Sequence, residues 1–366
     1  MRRICGGAAA LVAGLVLAGC SEQHAATLDD SGSVAPASVS LTGAGATFPY
    51  PIYSRWFNIY AREHGVRVNY QSIGSGGGIR QITEGTVDFG GSDAPMREEA
   101  MERAGHPLNL PTVLGAVVIT YNLPGVDAEV RLDGPTIADI FMGRITRWTD
   151  PRIASLNPGV RLPDIDLLVV HRSDGSGTTY VLSDYLSQVS PEWRDQVGQA
   201  QALRWPTGLG AKGNEGVAGQ LRLIPGSVGY VEQSFARQLN LPSASVRNRA
   251  GRFVAPSIEA TTAAVAGIGE RLGPDNDFRL SIVDMEGEGA YPIASWTYLL
   301  VPRHFDDCNR ARALYGVFRW AFQEGDADAR RLYYAPLPDD VKGLVLATWR
   351  DSVTCGAQRT PIAVES

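Results

Sequence analysis

The sequence predicts an α/β protein of two domains with largely parallel strands. Three observations carry that expectation. Short apolar runs empty repeatedly into loops of glycine and other small residues, and each loop leads into an amphipathic stretch. Two longer apolar runs, Thr112 to Tyr121 and Tyr291 to Val301, could cross between domains and back. The chain of 366 residues, 44% of them apolar, exceeds one ordinary core and leaves ample material to bury in two.

The first unit opens at Leu41-Thr42-Gly43-Ala44-Gly45-Ala46-Thr47-Phe48-Pro49, a short strand that runs into a glycine-rich turn. A helix follows, because Ile52, Trp56, Ile59 and Tyr60 recur at helical spacing, Pro49 or Pro51 suits a first turn and Gly65 suits a stop. Val66 to Ile73 then reads as a strand, Gly74 to Gly78 as its loop, and Ile79 to Glu84 as a helix halted by Gly85. Val87 to Pro95 repeats strand and glycine turn before the helical, charged Arg97 to Arg103. In the fourth unit a strand over Leu167 to Val170 empties into the loop His171-Arg172-Ser173-Asp174-Gly175-Ser176-Gly177-Thr178-Thr179, and Tyr180 to Val189 reads as a helix. Ligands in such sheets collect at the carboxyl ends of strands, where all four loops lie. Gly208 to Gly213 and Ile224 to Tyr230 read as turns. The expected division is a discontinuous first domain, 41–116 plus 291–356, a second domain, 117–290, and a C-terminal tail, 357–366.

The N-terminus is a separate matter. Arg2 and Arg3 precede an apolar stretch from Ala8 to Ala18, too short to span a membrane as a mature helix, so residues 1–19 read as an export signal. Its end, Leu17-Ala18-Gly19-Cys20, resembles the lipobox of bacterial lipoproteins, which implies that Cys20 is diacylated (palmitate-type chains) and becomes the new N-terminus. Residues 20–40 are rich in Ser, Ala, Asp, Gly and Pro without periodic apolar pattern, and read as a flexible tether. Cys308 and Cys355 remain, an even pair that suggests a disulfide in an oxidising compartment, worth roughly 4 kcal/mol on the loop-entropy model; two free buried thiols are the alternative.

The formal net charge is −6, and loss of residues 1–19, with two arginines and no acids, makes it −8. This balance argues against nucleic-acid binding and requires any anion site to work through close, desolvated hydrogen bonds. The fourth loop has that chemistry, with backbone N–H groups, hydroxyls and a guanidinium at a helix N-terminus. Arg172 there is placed for a bidentate contact with a tetrahedral oxyanion, a surface ion pair with Asp174 being the plainer reading. Asp174 either orients the guanidinium from behind or caps the helix. Asp93 is a good helix N-cap by sequence, yet beside an anion site it has a sharper use. Phosphate near neutral pH carries a proton that a carboxylate can accept, whereas sulfate carries none. No Walker lysine motif, dinucleotide fingerprint, metal-ligand spacing among the five histidines or nucleophile elbow is present, and Ser176 reads as a hydrogen-bond donor.

Across nearly the whole mature chain the sequence resembles the phosphate-binding protein of the bacterial phosphate ABC transporter. The resemblance rests on Leu41 to Pro49, Val87-Asp88-Phe89-Gly90 with Ser92-Asp93-Ala94-Pro95, Trp148 with Leu156-Asn157-Pro158-Gly159, Asp174-Gly175-Ser176-Gly177-Thr178 and Gly229-Tyr230-Val231-Glu232. It implies a two-lobe periplasmic-binding-protein (Venus flytrap, type II-like) α/β fold that closes by a hinge on dehydrated inorganic phosphate. It also implies contacts from Thr47, Phe48, Ser75, Asp93, Arg172, Ser176, Gly177 and Thr178, with Phe48 and Gly177 serving through backbone N–H. The implied role is non-catalytic, without cofactor or metal: a monomer, lipid-anchored to a membrane in the periplasm or at the cell surface, delivering phosphate to permease subunits. A secreted phosphoester hydrolase using Ser176 or Thr178, and a scavenger without a transporter, are the alternatives. His171 stands where a second basic residue is common, so positive potential at the cleft rim is expected to vary with pH, and Gly76 stands where many relatives have a second Ser.

Overall fold

The computed structural model describes residues 39–268 and 271–362. The export signal, Cys20 and all but the last two residues of the 20–40 tether lie outside the described residues.

In chain order, β1 (Ser40–Gly45), α1 (Tyr50–His64), β2 (Arg67–Ser72), α2 (Ser75–Thr83), β3 (Phe89–Ser92) and α3 (Glu98–Arg103) form the first three units. Then come β4 (Leu108–Tyr121), β5 (Arg131–Leu132), α4 (Gly134–Phe141), α5 (Pro151–Leu156), β6 (Leu168–Arg172), α6 (Gly177–Val189) and α7 (Pro191–Gln196). These are followed by β7 (Leu209–Ala211), α8 (Gly213–Leu223), β8 (Ser227–Glu232), α9 (Gln233–Gln238), β9 (Ser245–Arg247), β10 (Phe253–Val254) and α10 (Ile258–Ala263). The chain closes with β11 (Ala294–Val301), β12 (His304–Phe305), α11 (Cys308–Glu324), α12 (Asp326–Arg331), α13 (Asp339–Ser352), β13 (Thr354–Cys355) and β14 (Thr360–Pro361).

Among the described residues one eight-stranded sheet runs in the order β2-β1-β3-β11-β4-β8-β6-β7. β1 is parallel to β2 and β3, and β6 is parallel to β7 and β8, as strand–helix–strand units require. The two parallel groups are joined by β4, whose fourteen residues are all buried. Its first part pairs antiparallel with β11 as far as Ala116 opposite Ala294, and its last part pairs antiparallel with β8 from Val117 opposite Glu232. The register of β4 against β11 shifts at Thr297 and Tyr298, which oppose Val113 and Pro111, so Thr112 is the extra residue of a bulge. A proline is tolerated in a central strand at such a place.

Four readings are corrected here. Gly208 to Gly213 is not a turn throughout, since it contains β7 and the start of α8, and Ile224 to Tyr230 runs into β8, a fully buried central strand. Glycine hides the second of these strands from a propensity argument. At Gly229 a Cβ would stand 2.6 Å from the Val170 carbonyl oxygen, so the close approach of β6 and β8 demands the residue that weakens the strand signal. The glycine loop after β2 is likewise shorter than expected, because Ser75 to Gly78 already form the first turn of α2. Cys308 and Cys355 are joined by a disulfide that ties α11 to β13. Nor is 357–366 a free tail over its described part: β14 pairs antiparallel with β13 and Ile362 is buried.

Candidate functional site

The carboxyl ends of β1, β3 and β6 and the first turns of α2, α6 and α8 meet in one place. Thr47, Phe48, Ser75, Asp93, Arg172, Ser176, Gly177 and Thr178 are all buried there. Glycines allow the approach. A Cβ on Gly177 would lie 2.4 Å from Ser75 Oγ and 2.6 Å from Asp93 Oδ2, and one on Gly74 would lie 2.4 Å from Asp174 Oδ2. The Gly76 N–H donates to the Gly175 carbonyl at 2.8 Å, so the position where many relatives have a second Ser makes a contact across the cleft.

The wall built on β6 carries the charge. Arg172 is the last residue of that strand and 3% exposed, which removes the surface ion-pair reading. Its Nε and Nη2 donate to the two oxygens of Asp174 at 2.8 and 2.6 Å, and its Nη1 donates to Thr178 Oγ1 at 3.2 Å. Asp174 Oδ1 also accepts the Gly213 N–H at 3.1 Å. Burial works to raise the Asp174 carboxyl, but the Arg172 hydrogen bonds and charge, with the backbone donors, outweigh it and hold the group below its ordinary value. Asp174 therefore stays ionised and orients the guanidinium, while the cap of α6 falls to Ser176, whose Oγ accepts the Thr179 N–H at 3.0 Å.

The wall built on β1 to β3 is different. Ser75 Oγ accepts the N–H of Asp93 at 3.2 Å and the N–H of Gly177 at 3.1 Å, so the Gly177 N–H expected to face the anion is engaged by Ser75 here. Asp93 caps no helix; its Oδ1 accepts the Thr297 hydroxyl at 2.8 Å, presented beside the β4 bulge. Burial pushes the Asp93 carboxyl up to about 7, against the opposing pull of Thr297, the Arg172 charge and Ser75. The site thus combines a buried cation, several N–H and O–H donors, and one carboxylate poised near neutrality.

Four neighbours were not singled out from sequence. Asn214, in the first turn of α8, donates from its backbone N and its Nδ2 to Thr47 Oγ1 at 3.2 and 2.7 Å, and from Nδ2 to Thr178 Oγ1 at 3.2 Å. Its Oδ1 accepts the Glu232 N–H at 2.9 Å. Thr297 holds Asp93, as above. Tyr334 OH lies 2.5 Å from the Phe48 carbonyl oxygen and 2.9 Å from Glu232 Oε2, one proton between two acceptors. Burial pushes the Glu232 carboxyl up to about 8, despite donors from Ser234 and Tyr334, so at neutral pH it is largely protonated and can supply the second proton. A signal for Asn214 existed, because Gly213-Asn214 stands after β7 as Ser75 stands after β2, but the turn reading of 208–213 concealed it.

His171 is half-buried, stacked on Trp205 with ring centroids 4.8 Å apart, and burial holds its pKa below the ordinary value, so it is neutral near pH 7.

The sheet topology and a cleft at strand ends define the class of protein: a family model described as a PBP superfamily domain matches residues 24–323. The chain is 44% identical over 323 residues to the Phosphate-binding protein PstS of Pasteurella multocida (strain Pm70), covering 88% of this chain and 93% of that one. It is 41% identical over 350 residues to the Phosphate-binding protein PstS of Xylella fastidiosa (strain Temecula1), covering 93% and 95%. The solved structure of PfluDING, a high affinity periplasmic phosphate-binding protein bound with phosphate, is similar with a TM-score of 0.69 at 21% identity, covering 85% of this chain and 94% of that one. That likeness speaks to the two-lobe α/β fold alone. The chain belongs to the PstS family of phosphate-binding proteins.

Proposed function

We propose that this protein is a non-catalytic receptor that binds inorganic phosphate between two lobes and delivers it to the permease of a phosphate ABC transporter. The observation that carries this reading is the pairing, in one buried cleft, of Arg172 with an Asp93 carboxyl raised to about 7. The cation and the surrounding donors suit any tetrahedral oxyanion, and the carboxylate suits one that brings a proton. The names of the relatives support the same ligand.

In this reading Thr47, Phe48, Ser75, Asp93, Arg172, Ser176, Gly177 and Thr178 contact phosphate, and Asp174 fixes Arg172. The lobes are 41–116 with 291–356, and 117–290, and β4 and β11 carry the hinge. Closure changes the surface that both lobes present, which couples capture to docking on the permease. The mature protein is a monomer, held in the periplasm or at the cell surface by lipid on Cys20, with 20–40 as its tether. Isothermal titration of the purified protein tests the ligand: tight, one-to-one phosphate binding is expected, and no heat with phosphate overturns the reading. Mass spectrometry of the mature N-terminus tests the anchor, with an unmodified Cys20 as the contrary result.

A further inference from the structure

A hydroxyl oxygen offers one proton and two lone pairs. Thr47 Oγ1 accepts two N–H groups, both from Asn214. Thr178 Oγ1 also accepts two, one from Arg172 Nη1 and one from Asn214 Nδ2. Both hydroxyls therefore have their lone pairs occupied, and among the described residues neither donates its proton to a protein acceptor. Each is left with a proton to give and nothing more to accept.

The direction of the Asn214 amide is itself fixed. Its Oδ1 lies 2.9 Å from the backbone N–H of Glu232, a group that can only donate, so that end of the amide is the oxygen and the NH2 faces both threonines. The two Nδ2 protons then reach one hydroxyl on each wall of the cleft, Thr47 after β1 and Thr178 in α6. Asn214 is buried, with 0% exposure.

From this geometry we infer that Asn214 is a positioning residue for the anion site: it turns the Thr47 and Thr178 hydroxyls into obligate donors and latches the two walls together when they meet. The inference rests on the phosphate-receptor reading above. It adds a selectivity device complementary to Asp93. With both hydroxyls barred from accepting, the set of acceptors for a protonated oxygen narrows toward Asp93. Asn214 touches the ligand in neither case; it acts through the two threonines.

A double-mutant cycle on phosphate affinity, measured by calorimetry on the full mature protein, tests this. Asn214→Ala and Thr47→Val are each expected to weaken phosphate binding about 10-fold, the scale of one hydrogen bond lost in a buried polar network. The double variant is expected to be far less than the product, because Asn214 acts partly through the hydroxyl that Thr47→Val removes. Most of the Asn214→Ala loss should appear in the dissociation rate, as a broken latch requires. Asn214→Ser serves if the alanine variant does not fold, and thermal unfolding without phosphate separates a folding defect from a binding one. If wild type binds phosphate and the single losses multiply, or Asn214→Ala binds as wild type does, the inference is wrong while the receptor reading stands. If wild type binds no phosphate, both fall.

Discussion

Each wall of the cleft carries one aspartate, Asp93 buried and Asp174 partly so, and the two carboxylates are pushed in opposite directions. Asp174, on the β6 wall, grips Arg172 through both oxygens and is held below its ordinary value. Asp93, on the β3 wall, accepts the Thr297 hydroxyl at 2.8 Å and rises with burial to about 7. Burial alone would raise both. The permanent partner decides: one aspartate belongs to the arginine, and the other, in the proposed reading, is left to recognise a proton. In the proposed reading, charge and discrimination fall to different walls, and phosphate is tested by both when they meet.

The comparison breaks most severely at Arg172. Arg172→Ala removes the buried cation and takes from Asp174 its charged partner, a binding loss on the scale of about 2–5 kcal/mol, so phosphate affinity should fall by roughly 100-fold or more in a calorimetric titration. Sulfate binding, where detectable, should fall with it. Gly177→Ala tests the meeting of the walls instead. Its Cβ would lie 2.4 Å from Ser75 Oγ and 2.6 Å from Asp93 Oδ2, so closure is obstructed. A loss of about 10-fold or more in phosphate affinity is expected, with the unfolding midpoint of the phosphate-free protein little changed. An unaltered affinity would show that the walls do not approach this closely on phosphate.

Acidity sharpens the contrast. Because its pKa is raised to about 7, Asp93 is neutral below that pH and can donate to an oxygen of sulfate, while Asp174 stays ionised. Preference for phosphate over sulfate should therefore decline as pH falls through 7, by about 10-fold per pH unit at most. Competition titrations across this range would contradict the assignment if the preference were flat. A smaller effect is expected at Glu232. Its folded-state pKa, raised from 4.5 to about 8, means the fold holds a proton that the unfolded chain has released, so this group's stabilising contribution is greatest below 4.5 and is lost as pH rises towards 8. Glu232→Gln, neutral at every pH, should flatten that part of the stability profile, read from urea midpoints of the phosphate-free protein. An unchanged slope would assign the pH dependence elsewhere.

Much of this arrangement is legible in the sequence because local rules agree with it. Helix α1 ends at Gly65 in a left-handed conformation, as a glycine stop implies, and the apolar run ending at Tyr121 is a wholly buried strand. Arg172 stands out because a lone arginine follows a buried strand. Strands β7 and β8 are not legible, since the glycines that let them pack closely also mimic turns. Asn214 and Thr297 are missed for a related reason. Each acts on a residue far away in sequence, Thr47 and Asp93, and no local spacing encodes a contact 167 or 204 positions long.

The division of labour between the walls is tested most directly by the ratio of phosphate to sulfate affinity in Asp93→Asn, measured at pH 8.5 against wild type. An amide there donates to an unprotonated oxygen, so the ratio should collapse by about 100-fold, mainly through a gain in sulfate binding. A ratio equal to that of wild type would contradict the account, because discrimination would then lie in something other than the proton that Asp93 accepts.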